Sequence, residues 1–357
     1  MSYTKYERIP YKAPGAKFEN VGTSMFPIDV PVFDYPISVR ENFKRAAERN
    51  KPMWVPNAVN DCNYVLGGDL SGLPDLKFDF LERCDWVDLF GCTWEWVPDA
   101  GGSMLKPGAK PILDDITEWE KKIVWPDLSD DRIKACCEAV QQRANFHPGK
   151  INYYDFGQGC TERLIAVMGG YEQGLIAMME EPEACKEFMM ELSRFHIKMF
   201  DKISKYFPTD MIMYHDDWGT ERDTFFSERV MDELVYEPTE LFLKHVKETG
   251  VYIDFHCCGR VDRFMDRFVS LGADFVQLQE RCNDMVGYKE KYGDKLGFDA
   301  YMLPITNESI VADARKNVET LGAGGGLFTT VFGGDEEMNW NGLQELYAYS
   351  REYYENH

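Results

Sequence analysis

Residues 251–274 read VYIDFHCCGRVDRFMDRFVSLGAD, and this stretch decides the fold. VYIDFHCC reads as a short buried strand that turns polar at its end. VDRFMDRFVSLG reads as a helix with a glycine stop, and ADFVQLQ begins the next strand. Strand, glycine-ended helix and strand together make one unit of a parallel α/β sheet. The unit recurs on both sides. Upstream lie the helix DDRIKACCEAVQQRAN, the strand INYYDF, the short helix CTERLIAVMGG, the long helix EPEACKEFMMELSRFHIKMFDKISKYF, the strand DMIMYHDD and the helix EPTELFLKHVKETG. Downstream lie a helix over NDMVGYKEKYG, the strand KLGFDAY, the helix SIVADARKNVETLG, the strand GGLFTTV and a last helix over NWNGLQELYAYSREYYEN.

Further toward the start, VRENFKRAAERN has apolar residues spaced for one helix face, and PMWVP follows as a short buried strand. Counting PMWVP and the strands from INYYDF onward gives about seven, and one more within residues 60–125 makes eight. Eight parallel strands favour a closed (β/α)8 TIM barrel over an open doubly wound sheet. No G-x-G-x-x-G opens a helix after a strand. Gly322, Gly324, Gly325 and Gly326 precede a strand, so the dinucleotide fingerprint is missing. Residues 1–37, rich in Pro, Gly and aromatics, read as an extended N-terminal arm, and residues 38–357 as the barrel. An insertion after the first strand is expected at about residues 60–125, where Trp94 and Trp96 share one face of a strand and Gly101-Gly102 makes a turn.

Composition narrows the function. Of 357 residues, 44% are hydrophobic and 14% aromatic, enough for a large core and too many for a disordered chain. Lys and Arg number 39 against 61 Asp and Glu, a net charge of −22. That balance argues against a nucleic-acid surface and against an anionic membrane surface. No apolar run is long enough to span a bilayer, and MSYTKYERIPYKAPG lacks the apolar run of a secretory signal. The ten cysteines include the adjacent pairs Cys136-Cys137 and Cys257-Cys258, which suit reduced thiols in a cytoplasm and are too sparse for a disulfide scaffold.

In a barrel of this kind the active site lies at the carboxyl ends of the strands. Alternation puts Asp254, His256 and Cys258 on one face and Cys257 on the other. A His and a thiol two residues apart suit a tetrahedral metal such as zinc, and they equally suit a buried Cys beside a hydrogen-bonded His. His215, Asp216 and Asp217 end another strand, where the acids could ligate a metal, orient His256, carry a proton or cap a helix. Gln277 and Gln279 present a polar inner face. Glu280 and Cys282 lie just beyond as candidate metal ligands, and Asp284 reads as the cap of the following helix. Trp94, Trp96, Tyr153, Tyr154, Phe156 and Trp218 could line a flat pocket for a ring-bearing ligand, or fill an ordinary core.

Taken in order, these segments resemble the uroporphyrinogen decarboxylase-like superfamily over roughly residues 38–350. HCCGRVDRFMDRFVSLGAD is similar to its H-x-C-G…G-(V/A)-D stretch, RENFKRAAERNKPMWVP to its opening helix and first strand, and TERLIAVMGGYEQGLIAMMEEPE to its middle segment. HDDWGTE resembles its D-D-x-G segment and CNDMVGYKEKYGDKLGF its N-D…K-x-x-Y-G-D-K segment. The resemblance implies a (β/α)8 barrel. The Arg-rich segment of true decarboxylases is missing, since the corresponding region reads MWVPNAVNDCNYVLGG, and the negative charge would repel an octa-acid substrate.

The resemblance therefore points to the cobalamin-dependent methyltransferase branch. It implies zinc at His256 and Cys258. The later Cys that completes such sites is absent from GGGLFTTVFGGDEEMNW, which leaves Glu280, Cys282, Asp216 or Asp217 to replace it. The expected activity is demethylation of a methoxylated, aromatic small molecule. The ether oxygen would be activated by zinc or protonated by Asp216 or Asp217, and the methyl group passed to cobalamin on a separate corrinoid protein. A coenzyme-M-type thiol methyltransferase and a non-catalytic ligand-binding member are the alternatives, and a homodimer is compatible with any of them.

Overall fold

The computed structural model describes residues 7–22, 27–71, 82–98, 102–143, 145–303, 306–331 and 334–357. Parts of the expected arm (1–6 and 23–26) and of the expected insertion (72–81 and 99–101, with Gly101 of the expected turn) lie outside the described residues.

The N-terminal segment pairs with itself. β1 (Phe18–Gly22) and β2 (Pro27–Pro31) form an antiparallel hairpin, and Val21 and Val30 pack on Leu343 of the last helix, Glu336–Asn356. Ahead of the hairpin, Arg8 pairs with Glu345 at 2.9 Å, and Trp340 Nε1 donates to the Ile9 carbonyl at 2.7 Å. The helix Val39–Ala47 follows. Ser38 caps it, its hydroxyl accepting from Glu41 N at 3.2 Å.

β3 (Cys62–Leu66) is the strand expected somewhere within residues 60–125. PMWVP, by contrast, forms no strand. Pro52 and Pro56 have no N–H to give to a ladder. What remains is an isolated parallel bridge between Asn57 and Thr329. Thr329 N donates to Pro56 O at 3.1 Å and Ala58 N to Thr329 O at 2.9 Å. β4 (Cys84–Val87), β5 (Thr93–Val97) and β6 (Gly102–Leu105) then form a separate antiparallel sheet.

The remaining strands are β7 (Ile151–Gln158), β8 (Met211–His215), β9 (Tyr252–Cys257), β10 (Phe275–Leu278), β11 (Gly297–Met302) and β12 (Leu327–Val331). With β3 they make a seven-stranded parallel sheet in the order β12-β11-β10-β9-β8-β7-β3. The expected eight-stranded barrel is thus observed as seven strands, curled so that the bridge at Asn57 joins the segment before β3 to β12. Helices connect the strands, as the alternation required. Asp284 caps the helix Met285–Tyr292, accepting from Gly287 N at 3.0 Å.

Successive residues of a strand face opposite sides, and here the sides differ in chemistry. The outer residues, Tyr154, Ile212, Tyr214, Phe255 and Val276 among them, join the large core under the helices. The inner residues at the strand beginnings, Ile151, Met211, Phe275 and Phe328, form a smaller apolar cluster plugged by Phe43 and Ala47. Full burial of each such side chain contributes about 1.5–3 kcal/mol. Toward the strand ends the inner residues become polar: Asp254, His256, Gln277, Asp299 and Thr330 are all buried. The apolar plug excludes water from one end, so the polar side chains converge at the other.

Candidate metal centre

β8 and β9 are paired in register, with His215 opposite His256. Both side chains therefore leave the sheet at the same height, and their rings stack at 4.1 Å and 12°. Asp217 sits two residues beyond His215, at the start of the following loop. One ligand atom from each of His215, Asp217 and His256 lies within 4.8 Å of the others, so these three residues could hold a metal ion.

The second nitrogen of each imidazole is occupied. His215 Nδ1 bonds Glu162 Oε2 at 2.6 Å, and His256 Nδ1 bonds Gln277 Oε1 at 2.7 Å, with the Tyr301 hydroxyl 3.0 Å away. Both Nε2 atoms are thereby left for a ligand. An imidazole held from behind by an oxygen acceptor is the usual arrangement around zinc. The donor set of two imidazoles and a carboxylate suits zinc and similar divalent metals.

Cys258 stands beside this group. Its Sγ is 3.3 Å from His256 Nε2, and its backbone N donates to Asp217 Oδ1 at 2.6 Å. Gly259 follows with φ +85°, and a Cβ there would lie 2.2 Å from the Gly219 carbonyl carbon and oxygen. Only glycine lets the loops after β8 and β9 approach so closely. Asn283 fastens the same turn, its amide donating to Gly259 O at 2.8 Å and its oxygen accepting from Val261 N at 3.1 Å.

The charges are unevenly placed. Burial works against the charged form of His215, but the carboxylates of Glu162, Asp217 and Asp155 outweigh it and raise its pKa to about 10. Burial and then the neighbouring His215 lower His256 to about 4. Burial, reinforced by Asp217, holds the Cys258 thiol well above its ordinary value. A bound cation would reverse that preference and favour the thiolate.

Beneath the histidines lies a pair of fully buried acids. Asp254 accepts from the Tyr153 hydroxyl at 2.6 Å, and Asp299 accepts from Thr330 Oγ1 at 2.8 Å and from Gln277 Nε2. Burial raises Asp254 to about 6 and lifts Asp299 well above its ordinary value.

The remaining sequence candidates are placed as follows. Asp216 is fully buried outside the group and accepts from Thr161 N, Glu162 N and Trp218 Nε1 at 3.2, 2.9 and 3.0 Å. It anchors the start of the helix Cys160–Val167, and burial followed by Glu162 raises it to about 7. Gln279 Oε1 accepts from Gly259 N at 3.1 Å, so it braces the turn. Cys282 Sγ lies 3.4 Å from the Gln279 carbonyl, and Glu280 pairs with Lys316 at 3.3 Å. Neither Cys282 nor Glu280 is in the three-residue grouping found among the described residues.

The aromatic candidates do not gather around the histidines. Tyr154 and Phe156 lie on the outer face of β7, Phe156 against Phe242 at 4.5 Å. Trp218 stacks on Phe268 at 5.1 Å. Trp94 belongs to β5, stacks on Trp86, and donates to Asp88 at 2.8 Å; Trp96 lies on the same strand. Sequence reading missed Glu162, Asp299 and Tyr301. Glu162 had one usable signal: it lies in the first turn of the helix after β7, which opens at the polar end of the sheet.

The uroporphyrinogen decarboxylase (URO-D) family model matches residues 87–325. A methyltransferase from Methanosarcina mazei shares the fold with a TM-score of 0.60 at 12% identity, over 89% of this chain and 99% of that one. Dispersin B overlaps at a TM-score of 0.33 and 10% identity, over 63% and 78% of the two chains. No curated protein matches the sequence. None of the described helices is long and apolar enough to cross a membrane.

Proposed function

The chain belongs to the uroporphyrinogen decarboxylase family, and from that membership we propose that it is a metal-dependent methyltransferase rather than a decarboxylase. The observation that carries this reading is the grouping of His215, Asp217 and His256, with Cys258 alongside, at the ends of β8 and β9. A decarboxylase for a polyacid needs cations where this mouth has Asp155, Glu162 and Asp217, which would repel such a substrate. The same reading takes residues 53–58 as the eighth stave of a (β/α)8 barrel, joined to β12 through Asn57.

The substrate we assign is a methoxylated aromatic compound. His215 Nε2, His256 Nε2 and an Asp217 oxygen would hold a zinc ion, with the Cys258 sulfur as a fourth donor. When bound, zinc supplies a Lewis acid for the ether oxygen. Glu162 and Gln277 keep the two imidazoles turned toward that point. The methyl–oxygen bond breaks with its electron pair remaining on the substrate oxygen. The methyl group passes to cob(I)alamin carried by a separate corrinoid protein.

The test uses the full chain, zinc, free cob(I)alamin as acceptor and a panel of aryl methyl ethers. Zinc-dependent release of a phenol together with methylcobalamin is expected. Failure of the chain to take up zinc, or methylation of a thiol such as coenzyme M in preference to ether cleavage, would overturn the assignment.

A further inference from the structure

We propose that Asp299 sets the tautomer of His256 by orienting Gln277, so that His256 meets its ligand with an Nε2 lone pair. The inference rests on His256 being part of the functional site proposed above. Asp299 touches neither the site's ligand position nor any group expected to react, so it is a positioning residue.

The argument is one of donors and acceptors. Asp299 is fully buried on β11, and Thr330 Oγ1 donates to both of its oxygens, at 3.0 and 2.8 Å. Gln277 is 1% exposed, and its Nε2 donates to the same carboxyl. With Thr330 donating to both Asp299 oxygens, the reversed amide would set its oxygen against an oxygen that already accepts, two acceptors face to face in a dry interior, which is costly. Asp299 therefore holds the amide nitrogen on its own side. The amide oxygen is turned toward His256 Nδ1 at 2.7 Å and toward the Tyr301 hydroxyl, which donates to it at 2.9 Å.

An amide oxygen can only accept, so the proton of the neutral imidazole must sit on Nδ1. Nε2 is left with its lone pair, 3.3 Å from Cys258 Sγ and 3.8 Å from Asp217 Oδ1. Free histidine in water prefers the opposite tautomer. The buried carboxyl thus acts two hydrogen bonds away, through an amide that can turn only one way.

The experiment is long-range proton–nitrogen NMR of the full chain labelled at its six histidines and stripped of metal by a chelator at pH 7.5. The His256 signals are identified by their loss in His256→Gln. The Nδ1–H pattern is expected in the parent and in Asp299→Asn, whose side-chain oxygen still accepts from Gln277. The Nε2–H pattern is expected in Gln277→Met, where Nδ1 loses the amide oxygen that accepts from it, and in Asp299→Leu, where the amide is free to reverse and donate to Nδ1. Gln277→Met should also weaken zinc binding about 10–100-fold. An Nε2–H parent, or an Nδ1–H pattern retained in Gln277→Met, overturns the proposal. An Nδ1–H pattern retained in folded Asp299→Leu overturns it as well. Should Asp299→Leu fail to fold, Asp299→Ala, with the same expected Nε2–H pattern, is read in its place. Because these spectra need no metal, absence of zinc binding would sink the metal reading and leave the tautomer result standing.

Discussion

The rings of His215 and His256 lie 4.1 Å apart and 12° from parallel, one on each of two register-paired strands. Two imidazoles stacked this closely cannot both carry charge at low cost; the carboxylates around His215 outweigh its burial and raise it, while burial and the neighbouring His215 lower His256. A divalent cation shared between them relieves the conflict by taking both as neutral ligands. His215→Ala, His256→Ala and Asp217→Ala should each lower zinc content from about one per chain to near zero, with Cys258→Ser weakening it less. Elemental analysis after gel filtration checks this.

Glu162→Gln keeps an oxygen acceptor for His215 but removes the charge. The far-UV spectrum should be unchanged, while zinc affinity falls roughly 10–100-fold. Competition with a chromophoric chelator measures it. An unchanged affinity would show that Glu162 only fills space beside His215.

His196 supplies a pH prediction away from the site. It is 3% exposed among Phe156, Phe195 and Phe242, its Nδ1 has no partner among the described residues, and burial lowers its pKa to about 3. Above the ordinary histidine value the folded and unfolded chains are both neutral here, and nothing is lost. As pH falls below it, the unfolded chain binds a proton that the folded chain refuses until about pH 3, so stability drops through that window. Denaturant unfolding at pH 7 and pH 5 should show the parent losing about 2 kcal/mol more than His196→Leu.

Gly259→Ala tests the contact between the two loops. Its φ of +85° and the 2.2 Å approach to Gly219 leave no room for a methyl group. Left-handed backbone alone costs roughly 1–2 kcal/mol for a residue with a Cβ. A lower melting temperature is expected together with weaker zinc binding, because the turn that carries Cys258 must shift. Loss of stability with zinc binding intact would separate this turn from the site.

Much of the arrangement could be read before any coordinates. The alternation within VYIDFHCC places Asp254 and His256 inward and Cys257 outward, as observed. The same rule, applied to INYYDF, would have sent Tyr153 inward and Tyr154 and Phe156 outward; treating all three as one pocket ignored the period of the strand. The pairing of His215 with His256 depends on register between strands about 40 residues apart, which no local pattern encodes. Glu162 comes from a helix preceding β8, so only the folded sheet brings it to His215. The missing eighth strand was legible in principle, since two prolines in five residues argue against a ladder.

The bridge at Asn57 has a consequence for how the molecule breathes. Most neighbouring strands in the sheet share four or five paired residues, whereas this seam holds by Thr329 N to Pro56 O and Ala58 N to Thr329 O. Ser350 of the last helix, donating nothing to the sheet itself, accepts from Val55 N at 3.0 Å and so latches the seam from outside. Opening there costs two ladder bonds and one latch, fewer than the five paired residues that join β3 to β7 or β11 to β12. Amide hydrogen exchange should therefore run faster at Val55 and Ala58 than in the interior of those strands, with solvent entering along this seam.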